Sequence, residues 1–206
     1  MRTVYLIRHG ETQANREGVF RGRGEVPLSP AGIEQSGELR AYFSGLKIER
    51  VFSSPLKRAV ETAVICFPGR AIELQELLNN IDLGNWTGRG KKEIAREEPR
   101  LWRRWLEEPE RMSFPGGESL AAMKARTRAF CRLLAAAGEE RIAVVSHRSV
   151  LKALLAEALG LGEKWFWKFH LDNASVSVLL HDATRGFVLA KLNRTEHLSD
   201  YIFEWD

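Results

Sequence analysis

The clearest structural signal in the chain is a run of four apolar residues from Ile142 to Val145. A short apolar run rich in β-branched residues is typical of a buried strand. A helix-like pattern from Ser149 to Leu159 follows it, and the alternating residues Thr3 to Ile7 predict another strand near the start of the chain. Strands that alternate with helices predict an α/β fold, in which a mostly parallel sheet lies between helices in three layers.

The other expected elements fit the same fold. Ser29 and Pro30 predict the start of a helix that extends to Leu46, because serine is a common N-cap and proline is tolerated in the first turn. The remaining patterns predict a strand at Val51–Phe52, a helix from Pro55 to Cys66, an extended segment at Ala71–Leu74, a helix from Ser119 to Ala137, and two closing strands at Val176–Leu180 and Phe187–Leu192.

Residues 79–117 are less regular than the rest of the chain. They contain a loop-like stretch, Asp82–Gly88, and short charged helices around Ile94 and Trp102–Leu106. No repeat or flexible linker divides the sequence, so we predict one domain of residues 1–206. Open α/β sheets bind ligands beyond the carboxyl ends of their strands, and we expect residues 79–117 to form part of a cap there.

Composition narrows the class of protein. Hydrophobic residues make up 44% and charged residues 28% of the sequence, which excludes a disordered or fibrous chain. No apolar run is long enough to span a membrane, and the N-terminal residues lack the features of a signal peptide, so we expect a cytoplasmic protein with no membrane partner. Cys66 and Cys131 lie in apolar helical patterns and are expected to be reduced core residues.

The formal net charge of +4 is compatible with either a nucleic-acid partner or an anionic small substrate. Most basic residues alternate with acidic ones along helices, which argues against a nucleic-acid partner. Arg100–Trp105 could form a stacking platform for a single strand. The spacing of Trp102 and Trp105 fits an amphipathic helix better, so we favour packing and expect no nucleic-acid partner.

Two histidines occupy equivalent places in the predicted sheet. His9 follows the first strand, and His147 follows the strand that ends at Ser146. A single histidine at a strand end is more often structural, but two at matching ends indicate a site. Gly10 allows the backbone to approach a ligand closely, and Arg8 places a permanent positive charge next to His9.

The segment Arg8-His9-Gly10-Glu11-Thr12, together with Asn15, resembles the defining motif of the histidine phosphatase superfamily, whose members have the phosphoglycerate mutase-like fold. Further segments resemble that family's motifs in the same order, namely Pro27–Gly32, Ser53–Ala59 with Thr62 and Ala63, Asp82–Gly88, Pro115–Ser119 and Val145–His147. The resemblance extends over nearly the whole chain. Trp102–Pro109, Asp172–Ser175 and Leu192–Leu198 are most similar to the metal-independent phosphoserine phosphatases of that superfamily.

The resemblance implies a phosphomonoesterase that acts on a small phosphorylated metabolite. His9 would attack phosphorus and form a phosphohistidine, which divides the hydrolysis into two steps. Arg8, Arg58 and His147 would surround the phosphoryl oxygens, and Asn15 would add an amide donor. The resemblance implies that no metal is required, and we expect no cofactor; the sequence agrees, since it has no spacing typical of a metal site.

One position departs from the family pattern in a way that affects the chemistry. The family usually has a glutamate two residues before the Asp-x-Gly-x-Trp motif, where it protonates the leaving oxygen; here that position is Asn80. Glu11, Glu76 and Asp82 are candidates to replace it. Asp82 ranks first because it lies in the same loop, although an aspartate there is more often a turn residue.

Two further departures add positive charge. Arg21 stands where the family commonly has glutamine, and Arg148 follows His147 where glycine or threonine is usual. Leu83 replaces a histidine expected in the phosphoserine subgroup. Each arginine could simply be a surface residue. Together with Asn80 they suggest a substrate with a second anionic group, such as a carboxylate or a second phosphate, bound by Arg21 or Arg148.

Three alternatives stay open at this stage. The first is a bisphosphate-dependent phosphoglycerate mutase, although mutases of the family tend to be longer. The second is a non-catalytic module that binds a phospholigand, which the loss of the acid at Asn80 makes credible. The third concerns Trp165–Phe169, which could be an edge strand, a homodimer contact or a covered loop.

Overall fold

The computed structural model describes residues 1–204, and a six-stranded sheet forms its centre. The strands are β1 (Arg2–Arg8), β2 (Arg50–Ser53), β3 (Ile72–Leu74), β4 (Arg141–Ser146), β5 (Val176–Asp182) and β6 (Gly186–Arg194). Their order across the sheet is β3-β2-β4-β1-β5-β6. The first four are parallel, whereas β5 is antiparallel to β1, and β6 is antiparallel to β5.

Helices cover both faces of this sheet. Within residues 1–204 the α-helices are α1 (Gln13–Arg16), α2 (Pro30–Phe43), α3 (Lys57–Cys66), α4 (Lys91–Glu97), α5 (Pro99–Glu107), α6 (Leu120–Ala136) and α7 (Arg148–Ala158). Helices α2 and α3 pack together on one face, and α6 and α7 pack together on the other. The predicted three-layer α/β fold with a mostly parallel sheet is confirmed. None of these helices combines the length and the apolar character that a membrane crossing needs.

Strand β1 shows how the sheet separates two apolar cores. Val4 and Leu6 pack into the core beneath α6 and α7, while Tyr5 and Ile7 pack into the core beneath α2 and α3. This alternation follows from the two-residue period of a strand. The fully buried Ile142–Val145 segment of β4 divides its side chains between the two cores in the same way.

Local caps set the beginnings of the two longest helices. Ser29 accepts a hydrogen bond from the Gly32 amide at 3.1 Å, and Pro30 occupies the first position of α2. Ser119 accepts one from the Ala122 amide at 3.0 Å at the start of α6. Both starts agree with the sequence prediction. The prediction that the first of these helices reaches Leu46 is wrong, since α2 ends at Phe43 and a turn follows.

The irregular segment 79–117 packs through aromatic side chains. Trp86 lies 5.4 Å from Phe20 and 5.3 Å from Phe114 between ring centroids, and Trp105 lies 5.0 Å from Phe166. Trp105 is buried on α5, as the packing interpretation predicted. The alternative that Trp165–Phe169 is an edge strand is wrong, because residues 166–168 form a 3-10 turn with Phe166 buried against Trp105.

Candidate active site

Two histidine rings meet at the carboxyl edge of the sheet. Strands β1 and β4 are parallel neighbours, and Arg8 pairs in register with Ser146, so the next residue of each strand is a histidine. The rings of His9 and His147 have centroids 5.2 Å apart. Both rings line the same cleft. The sheet topology therefore brings together the two histidines that the sequence selected.

His9 is positioned by its own backbone neighbour. Its Nδ1 lies 2.6 Å from the Gly10 carbonyl oxygen. Because a carbonyl oxygen can only accept, Nδ1 carries the proton and Nε2 holds an unshared electron pair. Burial lowers the pKa of His9 well below its usual value, and the charges of Arg58 and Arg8 lower it further. The ring is therefore a neutral imidazole at neutral pH.

The loop that carries His9 packs closely against helix α2. A Cβ at Gly10 would lie 2.6 Å from the Gly32 carbonyl oxygen, and one at Gly32 would lie 2.1 Å from the Glu11 carbonyl oxygen. Only glycine fits at either position without moving the backbone. Thr62 accepts a hydrogen bond from the Gly10 amide at 3.0 Å, and Asn173 donates to the His9 carbonyl at 3.1 Å. The loop is therefore supported by three separate parts of the chain.

Two buried guanidinium groups lie behind the histidines. Arg8 donates to the Leu171 carbonyl at 2.8 Å, and Arg58 donates to the carbonyls of Gly24 at 2.8 Å and Gly22 at 3.0 Å. The Nε atoms of both arginines are buried and have no hydrogen-bond partner within residues 1–204. Burial and the charge of Arg21 lower the pKa of Arg58 to about 9, so it still carries its charge at neutral pH.

His147 is held by a serine that the sequence analysis did not select as a site residue. Its Nε2 lies 2.7 Å from Ser54 Oγ. Ser54 Oγ also accepts a hydrogen bond from the Leu56 amide at 3.3 Å. The other ring nitrogen of His147, Nδ1, is buried and has no partner in the described part of the chain. Burial, Arg58 and His9 lower the pKa of His147.

The additional arginines line the same cleft, and Asn15 contacts one of its lining residues, Glu204. Asn15 Oδ1 accepts hydrogen bonds from the Thr12 amide at 2.9 Å and the Thr12 hydroxyl at 2.8 Å, which fixes the orientation of its amide group. Arg21, Arg148 and Lys91 line the cleft, and Lys91 was not selected from the sequence. Arg21 acts on the site electrostatically, because its charge contributes to the lowered pKa values of both histidines.

The structure places Asn80 in the cleft wall with its amide group engaged. Asn80 Nδ2 donates to the Gly22 carbonyl at 2.8 Å, the same oxygen that Arg58 contacts. The neighbouring Leu83 is buried and lines the same wall. Asn80 therefore stabilises the loop next to the cleft, and its side chain carries no ionisable proton.

The three carboxylates considered as replacements for the missing acid all have other partners. Asp82 Oδ1 accepts from the Gly84 amide at 2.9 Å, which is the turn contact typical of aspartate. Glu11 Oε1 accepts from Arg16 at 2.7 Å and from Ser29 at 2.8 Å. Glu76 is exposed and accepts from Asn79 at 3.2 Å.

A carboxylate that the sequence analysis missed does reach the cleft. After β6 the chain returns to the carboxyl edge of the sheet, where Glu204 forms an ion pair with Arg8. Its Oε1 also accepts from Asn15 at 2.6 Å, and its Oε2 lies 3.2 Å from Arg148. Burial favours the protonated form, yet Arg8 and Arg148 hold the pKa of Glu204 well below its usual value. Nothing in the local sequence around Glu204 indicates this contact.

A second pocket lies beside the first and shares two residues with it. Arg148 and Glu204 line both, and the second pocket adds three cationic or titratable side chains, Lys152, Lys168 and His170. Trp167 and Phe169 give it aromatic walls. Within residues 1–204, no three histidine, cysteine, aspartate or glutamate side chains are grouped so that they could hold a metal ion.

The fold and the site together define a class of protein, an α/β protein of the phosphoglycerate mutase-like fold with paired histidines at the carboxyl edge of its sheet. The chain belongs to the histidine phosphatase superfamily (branch 1), whose family model matches residues 4–195.

Named relatives agree with this assignment. Phosphoserine phosphatase 1 of Hydrogenobacter thermophilus is 34% identical over 204 residues, which cover 98% of this chain and 96% of the relative. The adenosylcobalamin/alpha-ribazole phosphatase of Escherichia coli is 32% identical over 179 residues, which cover 85% of this chain and 88% of the relative. The solved structure of the mycobacterial glucosyl-3-phosphoglycerate phosphatase matches with a TM-score of 0.86 at 26% identity, covering 95% of this chain and all of that one.

Proposed function

We propose that this chain hydrolyses small phosphomonoesters through a phosphoryl group carried on His9 Nε2. The observation that supports this most directly is the hydrogen bond between His9 Nδ1 and the Gly10 carbonyl, because it fixes the tautomer in which Nε2 is a nucleophile. The low pKa of His9 keeps that electron pair unprotonated at neutral pH. A neutral, oriented imidazole next to buried positive charge is suited to attack on phosphorus.

The surrounding donors supply the electrostatic part of the reaction. Arg8 Nε, Arg58 Nε and His147 Nδ1 are buried polar atoms that lack a partner within residues 1–204. Buried donors rarely stay unpaired in proteins, so these three suit an anion with several oxygen atoms. A phosphoryl group develops its negative charge on such oxygens during transfer, and fixed cations stabilise that charge. Asn15 Nδ2 adds a neutral donor on the same side.

The reaction would proceed in two displacements. His9 Nε2 forms a bond to phosphorus while the bond from phosphorus to the ester oxygen breaks and the alcohol leaves. Water then attacks phosphorus, the bond to Nε2 breaks, and inorganic phosphate is released. We take residues 79–117 to act as the cap over this site, because Asn80, Leu83, Lys91 and Trp105 line the cleft.

A direct test is phosphate release from an aryl phosphate such as p-nitrophenyl phosphate, whose leaving group needs little protonation. We expect turnover by the wild type, loss of at least about a thousandfold in His9→Ala, and full activity in EDTA. Mass spectrometry of the quenched wild type should find one added phosphoryl group on His9. Equal inactivity of both proteins would favour the phospholigand-binding module, and phosphoryl exchange between phosphoglycerates without net phosphate release would favour a mutase.

We further propose that the substrate carries a second anionic group. Among the described residues of the cleft wall, Arg21, Lys91 and Arg148 are cationic, and Glu204 is the sole carboxylate. The adjoining pocket extends this positive surface from Arg148 to Lys152 and Lys168. The relative named for glucosyl-3-phosphoglycerate acts on a phosphate that also bears a carboxylate and no ammonium group, which agrees with this charge pattern.

Comparison of kcat/KM for phosphoglycerate, a bisphosphate and phosphoserine tests this second proposal. We expect the two substrates with additional negative charge to be preferred over the zwitterionic phosphoserine. A clear preference for phosphoserine would refute the charge argument while leaving the phosphohistidine mechanism intact.

A further inference from the structure

With Asn80 in place of the usual glutamate, another group has to protonate the leaving oxygen. An alkoxide is a poor leaving group, so hydrolysis of an alkyl phosphate needs an acid within reach of the ester oxygen. Asn80 cannot donate such a proton, and its amide already donates to the Gly22 carbonyl at 2.8 Å. The carboxylates of Glu11 and Asp82 hold other structural contacts.

Glu204 is the sole carboxylate among the described residues that line the catalytic cleft. It lies in the same cleft as His9 and His147, and only 12% of its side chain is exposed. Its partners Arg8 and Asn15 are the groups that would bind the phosphoryl oxygens. The carboxyl group is therefore adjacent to where the reacting phosphoryl group would bind.

We propose that Glu204 is the catalytic acid and base of this protein, replacing the glutamate that the family pattern usually has at the position of Asn80. This inference rests on the proposed phosphohistidine mechanism and adds to it a residue from a distant part of the chain.

Substrate binding itself would change the protonation state of Glu204. In the free protein the carboxylate is anionic, because Arg8 and Arg148 lower its pKa. A phosphoryl dianion that binds to the same arginine neutralises that positive charge and places a like charge beside the carboxylate. Two anions that share one site do not both stay ionised, so the carboxyl group takes up a proton. Glu204 then meets the substrate as a carboxylic acid that can donate.

The proton and electron balance closes over the two displacements. In the first, His9 Nε2 bonds to phosphorus, the electron pair of the breaking ester bond goes to the leaving oxygen, and that oxygen takes the proton of Glu204. In the second, water bonds to phosphorus and gives one proton to the Glu204 carboxylate, and the electron pair of the N–P bond returns to Nε2. Each cycle consumes one water, and the proton that Glu204 took up from solvent on substrate binding is released again when phosphate leaves.

The test compares Glu204→Gln with the wild type on two kinds of leaving group. On the best alkyl phosphate substrate we expect kcat/KM to fall about a hundredfold or more, the usual contribution of a general acid. On p-nitrophenyl phosphate, whose leaving group is stable as an anion, we expect a change of no more than about threefold, since little protonation is needed. Glu196→Gln is the matched control, because Glu196 lies in the same C-terminal segment, is exposed and pairs with Arg194 instead.

A rescue experiment separates chemistry from packing. Asn80→Glu in the Glu204→Gln background should recover at least about tenfold of the alkyl phosphatase activity, since it returns a carboxyl group to the position that relatives use. An equal loss of Glu204→Gln activity on both substrates would overturn the proposal. Higher activity and tighter phosphate binding in Glu204→Gln would also overturn it, because they would show that Glu204 competes with the substrate for the phosphate site. Inactivity of the wild type on both substrates would instead refute the phosphohistidine mechanism and this inference with it.

Discussion

His9 and His147 are neutral for the same physical reason. Both side chains are buried, and both face the charge of Arg58, so the protonated imidazolium form is disfavoured in each. A neutral His9 keeps its nucleophilic electron pair, and a neutral His147 keeps one ring proton for donation. Because the folded protein disfavours the protonated form of both histidines, its stability is expected to depend on pH in the acid range.

The first prediction is that stability falls as the pH decreases below about 6.5, the pKa of an unfolded histidine. The pKa values of His9 and His147 are lowered in the folded state. At a pH between these lowered values and the pKa of an unfolded histidine, the unfolded chain therefore binds more protons than the folded protein. Each histidine should remove roughly 1.4 kcal/mol per pH unit in that window. Urea unfolding at pH 7.5 and pH 5.5, without phosphate, would measure the slope.

His147→Gln provides the comparison for this prediction. The variant should lose less stability on acidification than the wild type, by the contribution of one histidine. His181 and His197 also have lowered pKa values and remain in both proteins, so the difference isolates position 147. An unchanged slope in His147→Gln would show that His147 is not the group that titrates.

At the residue scale, short-range patterns were enough to predict much of the site. Arg8, His9 and His147 follow strands directly, so the sheet prediction already brought them to one edge. Glu204 could not be predicted in this way. It lies 196 residues from Arg8 in sequence, and its contact depends on the path of the chain after β6. Ser54 was within a recognised motif, but no sequence pattern connects its hydroxyl with His147.

At the scale of the element, helix α2 supports the loop that carries His9 through its first turn. Gly32 lies against the Glu11 backbone, and Ser29 joins the two segments by donating to Glu11 Oε1 at 2.8 Å. The position of this helix therefore determines where the loop that follows β1 can lie.

The second prediction compares two glycines of α2. Gly32→Ala would bring a Cβ to 2.1 Å from a backbone oxygen, so we expect a loss of about 1–3 kcal/mol in stability and a lower kcat from a displaced His9 loop. A Cβ at Gly37 would have no neighbouring atom within 4 Å, so we expect Gly37→Ala to stabilise the same helix by about 0.5–1 kcal/mol and to leave kcat unchanged. Urea denaturation and steady-state kinetics of both variants test this prediction. Equal changes in stability and kcat in the two variants would refute it.

Helix starts that depend on residues close in sequence were predicted correctly, whereas a turn that depends on contacts with distant residues was not. Ser29 and Ser119 are caps whose partners lie within three residues, so the starts of α2 and α6 could be found from the sequence. The segment around Phe166 alternates in part like a strand. Its 3-10 turn is favoured by burial against Trp105 and Lys152, which are distant in sequence.

At the scale of the whole molecule, the positive charge matters through its distribution. The net charge of +4 is modest, and many arginines form surface pairs with glutamates, such as Arg128 with Glu157. Arg8 and Arg58 are buried behind the cleft, and Arg21 lines it. The positive field of the molecule is therefore concentrated at one edge of the sheet.

The third prediction separates local from total charge. Arg21→Gln and Arg132→Gln each remove one positive charge, but Arg132 is exposed on α6 and does not line the cleft. For a substrate with a second anionic group we expect kcat/KM to fall about tenfold in Arg21→Gln and to stay within about twofold in Arg132→Gln. Similar losses in both variants would attribute the effect to overall charge.

The burial of both cysteines has a practical consequence for studying the C-terminal segment. Cys66 and Cys131 are 3% and 7% exposed, and burial raises the pKa of each thiol to about 12. Neither thiol should compete for a maleimide or a nitroxide reagent at neutral pH. Tyr201→Cys, at a position 37% exposed and three residues before Glu204, would therefore give a single labelling site in an otherwise wild-type background. A spectroscopic label there could report whether the segment moves when phosphate or vanadate binds.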